Sequence, residues 1–292
     1  MNVVTRIKQA LTRAIEYGEG ADCPPQLAAA LRYAVFPGGA RIRPRLCLAV
    51  AAACGDDQPQ LTEAAASSIE LLHCASLVHD DLPCFDDAPI RRGKPSVHAV
   101  FGERLAVLAG DALIVRAFEF LALSAVEQTS AQRLSRLLLI VGRGVGMPAG
   151  IAAGQAWECE AHVVLADYQR AKTGALFAAA TEAGAAAAGF SRAEVWRTLG
   201  ERLGEAYQVA DDIRDATSNV QELGKPIGRD VALDRPSAVR KLGITGAAKH
   251  LQALVAEAMA SIPQCPGADD LRSLIFTESK QFLPEGLLSQ AA

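Results

Sequence analysis

Residues 70–98 read ELLHCASLVHDDLPCFDDAPIRRGKPSVH, and this stretch contains an unusual density of charged side chains. Four carboxylates fall within eight positions: Asp80, Asp81, Asp86 and Asp87. Three cations follow them: Arg91, Arg92 and Lys94. The apolar residues before the acids have helical spacing, and Pro83 predicts that this helix ends just past the first acids.

The chemistry of this stretch suits a metal site that binds phosphate. Crowded carboxylates raise one another's pKa unless a cation lies between them. Oxygen ligands with open coordination positions suit Mg2+ that is completed by substrate phosphates, and adjacent arginines can bind phosphate oxygens directly. Taken alone, the stretch could also be a solvated acidic turn paired with a basic one.

A second acidic cluster favours the metal site. It lies in YQVADDIRD at 207–215, inside a helical pattern, and consists of Asp211, Asp212 and Asp215. Positions 211 and 215 are four apart, so they lie on one face of a helix. Like charges on one face destabilise a helix that has nothing to bind. We therefore interpret the two clusters as opposing halves of a multi-metal site for a diphosphate.

The two motifs, with aspartate spacings DDxxxxD and DDxxD, resemble those of the trans-isoprenyl diphosphate synthases. Further landmarks occur in that family's order: GGARIRP at 38–44, RRGKP at 91–95, KTG at 172–174, YQ at 207–208 and GKPIGRD at 224–230. The resemblance spans roughly residues 30–245. It is greatest to bacterial synthases that make geranylgeranyl diphosphate for carotenoid pathways. It implies a helical bundle of the isoprenoid synthase type with a central active-site cavity.

Composition and patterning independently favour a single all-α domain over residues 1–292. Hydrophobic residues make up 50% of the chain and charged residues 21%. Helical segments of about 10–25 residues lie between short breaks, with no alternating strand and no break long enough to separate domains. The net charge of −4 gives no electrostatic sign of binding to nucleic acid or to an anionic membrane.

The chain also lacks sequence signals for a membrane span or for secretion. The longest apolar candidate, 105–126, is interrupted by Asp111, Arg116 and Glu119, so we predict no membrane span. The N-terminus has no apolar signal core. The seven cysteines are odd in number and scattered without a CxxC pair, which favours reduced thiols in a cytoplasmic protein.

The resemblance implies a set of site residues. The metal ligands would be Asp80, Asp81, Asp86, Asp211, Asp212 and Asp215. The substrate-binding residues would be Arg41, His73, Arg91, Arg92, Lys172, Lys225 and Arg235. The catalytic residues would be Lys172, Thr173, Gln208 and Lys225. In similar enzymes the lysines contact the allylic diphosphate, whereas dipoles of the threonine and glutamine face the developing cation.

Three positions depart from the family pattern. Ala40 stands where the family usually has lysine, so one cationic contact to isopentenyl diphosphate is missing, and Arg43 is a candidate replacement. The usual Asp-Leu after Gln155 is replaced around Ala156-Trp157-Glu158, and we assign these residues no catalytic role. Arg235 replaces a family lysine, which is not a conservative change.

The residue pair Glu70-x-x-His73 permits one other metal chemistry. This pair is half of the pattern that binds two iron ions in helical bundles. None of the other four histidines has a glutamate three positions before it. The resemblance implies that His73 instead binds isopentenyl diphosphate. A hydrogen-bonded histidine of the core is the alternative.

Product length is expected to depend on the residues below Asp80 on its helix. Many fifteen-carbon synthases have an aromatic residue where this chain has Ala75, with Ser76 beside it. Alanine leaves room on the order of 100 Å3, so we predict a twenty-carbon product. Leu72, one turn further from Asp80, or a phenylalanine of 105–126 would then form the floor of the pocket that holds the growing prenyl chain.

The predicted activity is therefore a Mg2+-dependent, head-to-tail condensation of isopentenyl diphosphate with allylic diphosphates. The resemblance also implies a homodimer. The nearest alternative is synthesis of farnesyl diphosphate. More distant alternatives are a non-catalytic subunit of a heteromeric synthase, a terpene cyclase or head-to-head synthase, and a helical scaffold without activity.

Overall fold

The protein is described by a computed structural model that covers residues 2–20, 22–36, 38–162, 164–217 and 237–280. The α-helices, in chain order, are α1 (Val3–Glu16), α2 (Pro25–Val35), α3 (Ile42–Cys54), α4 (Pro59–Asp80), α5 (Val97–Phe101), α6 (Glu103–Leu123), α7 (Gln128–Val145), α8 (Ile151–Ala156), α9 (Leu165–Gln169), α10 (Ala175–Ala187), α11 (Arg197–Thr217), α12 (Ala238–Ala260) and α13 (Ala268–Ser279). The all-α bundle predicted from the sequence is confirmed. Lys225 and Arg235 lie outside the described residues.

Shorter elements connect these helices. They are two 3-10 turns (Trp157–Cys159 and Ala193–Trp196), a π-helical turn (Arg170–Gly174), and an antiparallel hairpin of β1 (Ile90–Arg91) with β2 (Lys94–Pro95). Within the described residues, each helix is too short or too polar to cross a bilayer.

Helix α10 lies at the centre of the bundle, and every one of its residues is buried. A helix that is apolar on all sides has this position in a larger bundle. Small residues let its neighbours approach closely. A Cβ on Gly184 would lie 2.3 Å from the carbonyl oxygen of Cys47 on α3, and a Cβ on Gly200 of α11 would lie 2.3 Å from that of Phe177.

Helices α4 and α6 pack along each other and run antiparallel. The ring nitrogen Nε2 of His79 lies 3.2 Å from the carbonyl oxygen of Val107, near one end of the contact. The Ser68 hydroxyl donates a hydrogen bond to the carbonyl oxygen of Ala117, at 2.7 Å, further along it. The buried residues of α6 lie along one side of the helix: Ala106, Ala109, Gly110, Leu113, Ala117 and Leu121.

The hairpin presents the two adjacent arginines of the first motif. Arg91 pairs with Lys94, so Arg92 and Gly93 form a two-residue turn, and both have positive φ (55° and 74°). This is the backbone of a type I′ turn, in which a non-glycine residue is costly. The Tyr33 hydroxyl donates a 2.7 Å hydrogen bond to the carbonyl oxygen of Pro95 and anchors the hairpin to α2.

Candidate active site

The first acidic motif folds back on the end of α4. The Asp86 backbone N–H donates to the carbonyl oxygen of Asp80 at 3.0 Å, which brings the two side chains together. A carboxylate from a distant segment joins them. Oxygens of Asp80, Asp86 and Glu158 all lie within 4.8 Å of one another. Three hard oxygen donors at this spacing are chemically suited to Mg2+.

Asp81 has a different environment from Asp80. Its side chain is buried and accepts two hydrogen bonds from Arg91, one of them from Nε at 2.8 Å. Asp81, which was predicted to bind metal, is thus paired with the guanidinium of Arg91. Arg91 also reaches Asp80, at 3.5 Å. This arrangement holds the arginine beside the three-carboxylate group.

Burial raises the pKa of Asp80. Lys172 and Arg91 act in the opposite direction, while the neighbouring carboxylates of Asp86 and Glu158 raise it further. Burial also raises the pKa of Asp81, against the effect of Arg91. Carboxylates with raised pKa values are ones whose charge is incompletely balanced, and a divalent cation would supply that balance. The residues present therefore fit the metal that the sequence predicted.

Lys172 lies against this group. Its ammonium nitrogen is 3.4 Å from Oδ1 of Asp80, donates a hydrogen bond to Glu158, and lies 5.7 Å from the Tyr168 ring centroid. Burial acts to lower the pKa of Lys172, but Asp80, Tyr168 and Glu158 outweigh it, so the pKa is raised. The side chain is therefore a fixed positive charge at neutral pH.

The next residue, Thr173, connects to the second acidic motif. Its hydroxyl donates to Oε1 of Gln208 at 2.9 Å, and Nε2 of Gln208 donates to Asp212 at 3.1 Å. Lys172 and Thr173 occupy the π-helical turn. Lys172 contacts the first acidic motif directly, and Thr173 is linked to Asp212 of the second motif through Gln208, which brings the predicted halves of the site together around one turn of chain.

The aspartates of the second motif also differ in burial, as those of the first motif do. Asp212 is buried, and it accepts from the backbone N–H of Ala238 at 2.7 Å as well as from Gln208. Asp211 is half-buried and accepts from Arg214 at 3.1 Å. Asp215 lies one turn further along the same helix and is also half-buried. In each motif, one aspartate is held within the fold and the others lie at the site.

A group of arginines surrounds His73. Nη2 of Arg92 lies 3.4 Å from Nε2 of His73. Burial has the largest effect on the pKa of His73, and together with the charges of Arg43, Arg92, Arg41 and Arg91 it lowers this pKa well below its usual value. The imidazole is therefore neutral at physiological pH. Guanidinium groups near a neutral imidazole are chemically suited to bind an anion.

Arg41 and Arg43 have contrasting partners. The Arg41 guanidinium donates to the buried carboxylate of Glu70 and to the carbonyl oxygen of Val35. Within the described residues, Nε of Arg43 is buried and has no hydrogen-bond acceptor, and its guanidinium lies 4.5 Å from the centroid of the Phe177 ring. Glu70 is thus committed to Arg41, which weakens the di-iron alternative.

The segment around Ala40 lies beside the hairpin. A Cβ on Gly39 would come within 2.9 Å of Cζ of Arg92. The Arg92 side chain therefore crosses the backbone next to the position where the family usually has lysine. Ala40 itself is exposed.

Glu158 is the site residue that the sequence analysis missed. Its carboxylate accepts hydrogen bonds from Gln155 at 3.0 Å, from Tyr168 at 2.5 Å and from Lys172. Its position in the sequence could have revealed it. Glu158 lies three residues after Gln155, close to where the family usually has the aspartate of an Asp-Leu pair. Glutamate can reach a site that a shorter side chain would approach from another backbone position.

The predicted floor lies in the α4–α6 contact. Ala75 and Leu72 are each 1% exposed. The antiparallel contacts of α4 with α6 place Leu113 of α6 opposite the part of α4 between Leu72 and Ala75. The Ser76 hydroxyl donates to the carbonyl oxygen of His73 and is therefore turned toward its own helix.

Comparison with known proteins bears on the family and the fold of this chain. The sequence profile of the family described as "Polyprenyl synthetase" matches residues 24–268. The geranylgeranyl diphosphate synthase of Cereibacter sphaeroides is 55% identical over 279 residues, which are 96% of this chain and 96% of that protein. The enzyme of the same name from Rhodobacter capsulatus is 54% identical over 94% of each chain.

A solved structure shows the same fold. The geranyltransferase of Helicobacter pylori, complexed with magnesium and isoprenyl diphosphate, superposes with a TM-score of 0.78 at 29% sequence identity. The match covers 96% of this chain and 98% of that one.

Proposed function

We infer the activity from one premise: the chain belongs to the polyprenyl synthetase family. We propose that it condenses isopentenyl diphosphate head-to-tail with allylic diphosphates in the presence of Mg2+, and that it releases geranylgeranyl diphosphate. The observation that carries this proposal is the turn at Lys172 and Thr173. It connects both acidic motifs, and the arginines around His73 form an anion site of their own.

Each half of the site has residues to hold the metal. Asp80, Asp86 and Glu158 would do so in the first half, and Asp211 with Asp215 in the second. Bound Mg2+ would supply positive charge to the diphosphate of the allylic substrate and so make it a better leaving group. The predicted ligands Asp81 and Asp212 instead act by orienting Arg91 and Gln208.

The chain's own residues stabilise the charges that develop. The Lys172 ammonium is positioned to bind the allylic diphosphate. Thr173 and Gln208 present preorganised dipoles to the carbocation that ionisation leaves behind. The double bond of isopentenyl diphosphate attacks this cation, and the released diphosphate can accept the proton that the new bond displaces. Lys225 and Arg235, predicted to add charge near the diphosphates, belong to this proposal by resemblance alone.

We assign isopentenyl diphosphate to the site around His73. Arg43 offers an N–H there that has no acceptor in the described part of the chain, and Arg92 crosses the backbone beside Ala40. These two cations compensate for the absence of the lysine that the family usually has at position 40. Arg41 was predicted to bind this diphosphate. Because its guanidinium is engaged by Glu70, we assign it the role of fixing the start of α3 instead.

A twenty-carbon product follows from the small, buried Ala75 on the wall below Asp80. An incubation with labelled isopentenyl diphosphate, Mg2+ and separate five-, ten- and fifteen-carbon allylic starters tests the proposal. A twenty-carbon product that a chelator abolishes would support it. A product that stops at fifteen carbons would place the floor elsewhere, and the absence of product would favour a non-catalytic subunit.

The proposal includes a homodimer, which the resemblance implies. Helix α6 has an exposed apolar face that a second copy could cover: Val107, Leu108, Val115 and Leu123 are 41–56% exposed. Sedimentation of the purified chain, and of a variant with Val115→Asp, tests this face. The proposal also includes a cytoplasmic location, which the cysteine content favours. It includes use of the product for carotenoids, which the resemblance implies.

A further inference from the structure

Tyr168 is a residue that neither the motifs nor the chemistry above requires. Its hydroxyl donates a 2.5 Å hydrogen bond to Oε1 of Glu158. Oε1 also accepts from Lys172, while Gln155 donates to Oε2 at 3.0 Å. The Glu158 carboxylate therefore has donors on both oxygens, from α8, α9 and the π-helical turn.

The position of Glu158 depends on those donors. Glutamate has one more rotatable bond than aspartate, and fixing a flexible side chain costs conformational entropy. Glu158 lies in a 3-10 turn, with its oxygens beside those of Asp80 and Asp86. Like charges at this distance repel, so an unrestrained glutamate would swing away from the aspartates. A hydrogen bond from a rigid phenol opposes that movement.

We propose that Tyr168 is a positioning residue for the prenyl transfer. By holding Glu158 against Asp80 and Asp86, it maintains the three-carboxylate arrangement and so sets the affinity of the first acidic motif for its divalent cation. This inference rests on the proposed use of a metal at this motif, although it does not depend on which prenyl product is made.

The phenol can be separated from the aromatic ring. Tyr168→Phe removes the hydroxyl and keeps the ring, which lies 5.7 Å from the Lys172 ammonium. The fixed charge of Lys172 and the packing of α9 are thus retained. Loss of a hydrogen-bond partner that orients a metal ligand weakens metal binding about ten- to hundredfold. We expect about a tenfold loss for Tyr168→Phe.

The experiment measures metal binding without turnover. Wild type, Tyr168→Phe, Glu158→Gln and the double variant are titrated with Mn2+ in the presence of inorganic diphosphate, and bound Mn2+ is followed by electron paramagnetic resonance. Tyr17→Phe is the matched control, because Tyr17 is 63% exposed and follows α1. Circular dichroism melting verifies that each variant is folded.

The proposal expects a specific pattern. Tyr168→Phe weakens Mn2+ binding about tenfold and raises the half-saturating Mg2+ concentration in the steady state to a similar degree. The KM for isopentenyl diphosphate does not change. In the Glu158→Gln background, Tyr168→Phe has no additional effect, because the residue acts through Glu158.

Several results would overturn the inference. They are wild-type Mn2+ affinity in Tyr168→Phe, an equal effect of Tyr17→Phe, additive effects in the double variant, and no bound Mn2+ in the wild type. Failure of the proposed function would look different. A chain that makes no twenty-carbon product, but loses Mn2+ affinity on Tyr168→Phe, would retain the role of Tyr168.

Discussion

Arg43→Gln tests which arginine of the GGARIRP segment binds diphosphate. The wild-type guanidinium is partly buried, its Nε has no acceptor within the described residues, and burial lowers its pKa. A hydrogen bond to a charged group contributes about 1.5–3 kcal/mol, so its loss should raise the KM for isopentenyl diphosphate by about 10- to 150-fold. Because the buried Nε of Arg43 has no acceptor among the described residues, its removal relieves a cost to stability, and the variant should melt at the wild-type temperature or above it.

Arg41→Gln is the matched control for this variant. It leaves the carboxylate of Glu70, which is 1% exposed, without its guanidinium partner. Breaking a buried ion pair from one side costs about 3–5 kcal/mol, and we expect Tm to fall on the order of 10 °C. The effect on KM should be much smaller than that of Arg43→Gln.

The assay compares initial rates against isopentenyl diphosphate concentration, at saturating allylic substrate and Mg2+, with melting curves of the same preparations. The two variants should give different results: Arg43→Gln should change mainly KM, and Arg41→Gln should change mainly Tm. The reasoning is refuted if Arg41→Gln raises KM at an unchanged Tm while Arg43→Gln leaves KM at the wild-type value.

Three other predictions follow from the site. Ala75→Tyr should shift the product from twenty toward fifteen carbons, at an overpacking cost of about 1–3 kcal/mol, and chromatography showing an unchanged product spectrum would contradict the predicted floor. Thr173→Val removes the hydroxyl that orients Gln208 and should lower kcat on the order of tenfold with KM little changed; an unaltered kcat would count against that role. Because burial raises the pKa of Asp80, protons should compete with Mg2+, so the half-saturating Mg2+ concentration should rise as the pH falls toward that raised pKa, and a flat profile would exclude this coupling.

Several features of the site were predictable because they depend on residues close together in the chain. The end of α4 at Asp80 and the helical register of Asp211 and Asp215 follow from local spacing. So does the position of the hairpin arginines after the acids. Each of these features involves a few neighbouring residues and their backbone preferences.

The partners of the functional side chains were not predictable in the same way. Asp81 and Asp80 are adjacent, but one is buried against Arg91 and the other lies beside Lys172. Arg41 and Arg43 are two positions apart, and only one of them meets Glu70. A one-dimensional pattern cannot distinguish such neighbours, since the difference lies in which distant element each side chain faces.

The amino-acid sequence alone thus determined an all-α architecture, two acidic motifs and the chemistry of a site for metal and diphosphate, since helix periodicity and the affinity of carboxylates and guanidiniums for their ligands are local properties. Only the tertiary structure placed Glu158 beside Asp80, and paired Asp81 with Arg91. The physical reason is that burial and the pairing of charges depend on contacts between segments far apart in the chain, which form only when the whole bundle packs around α10.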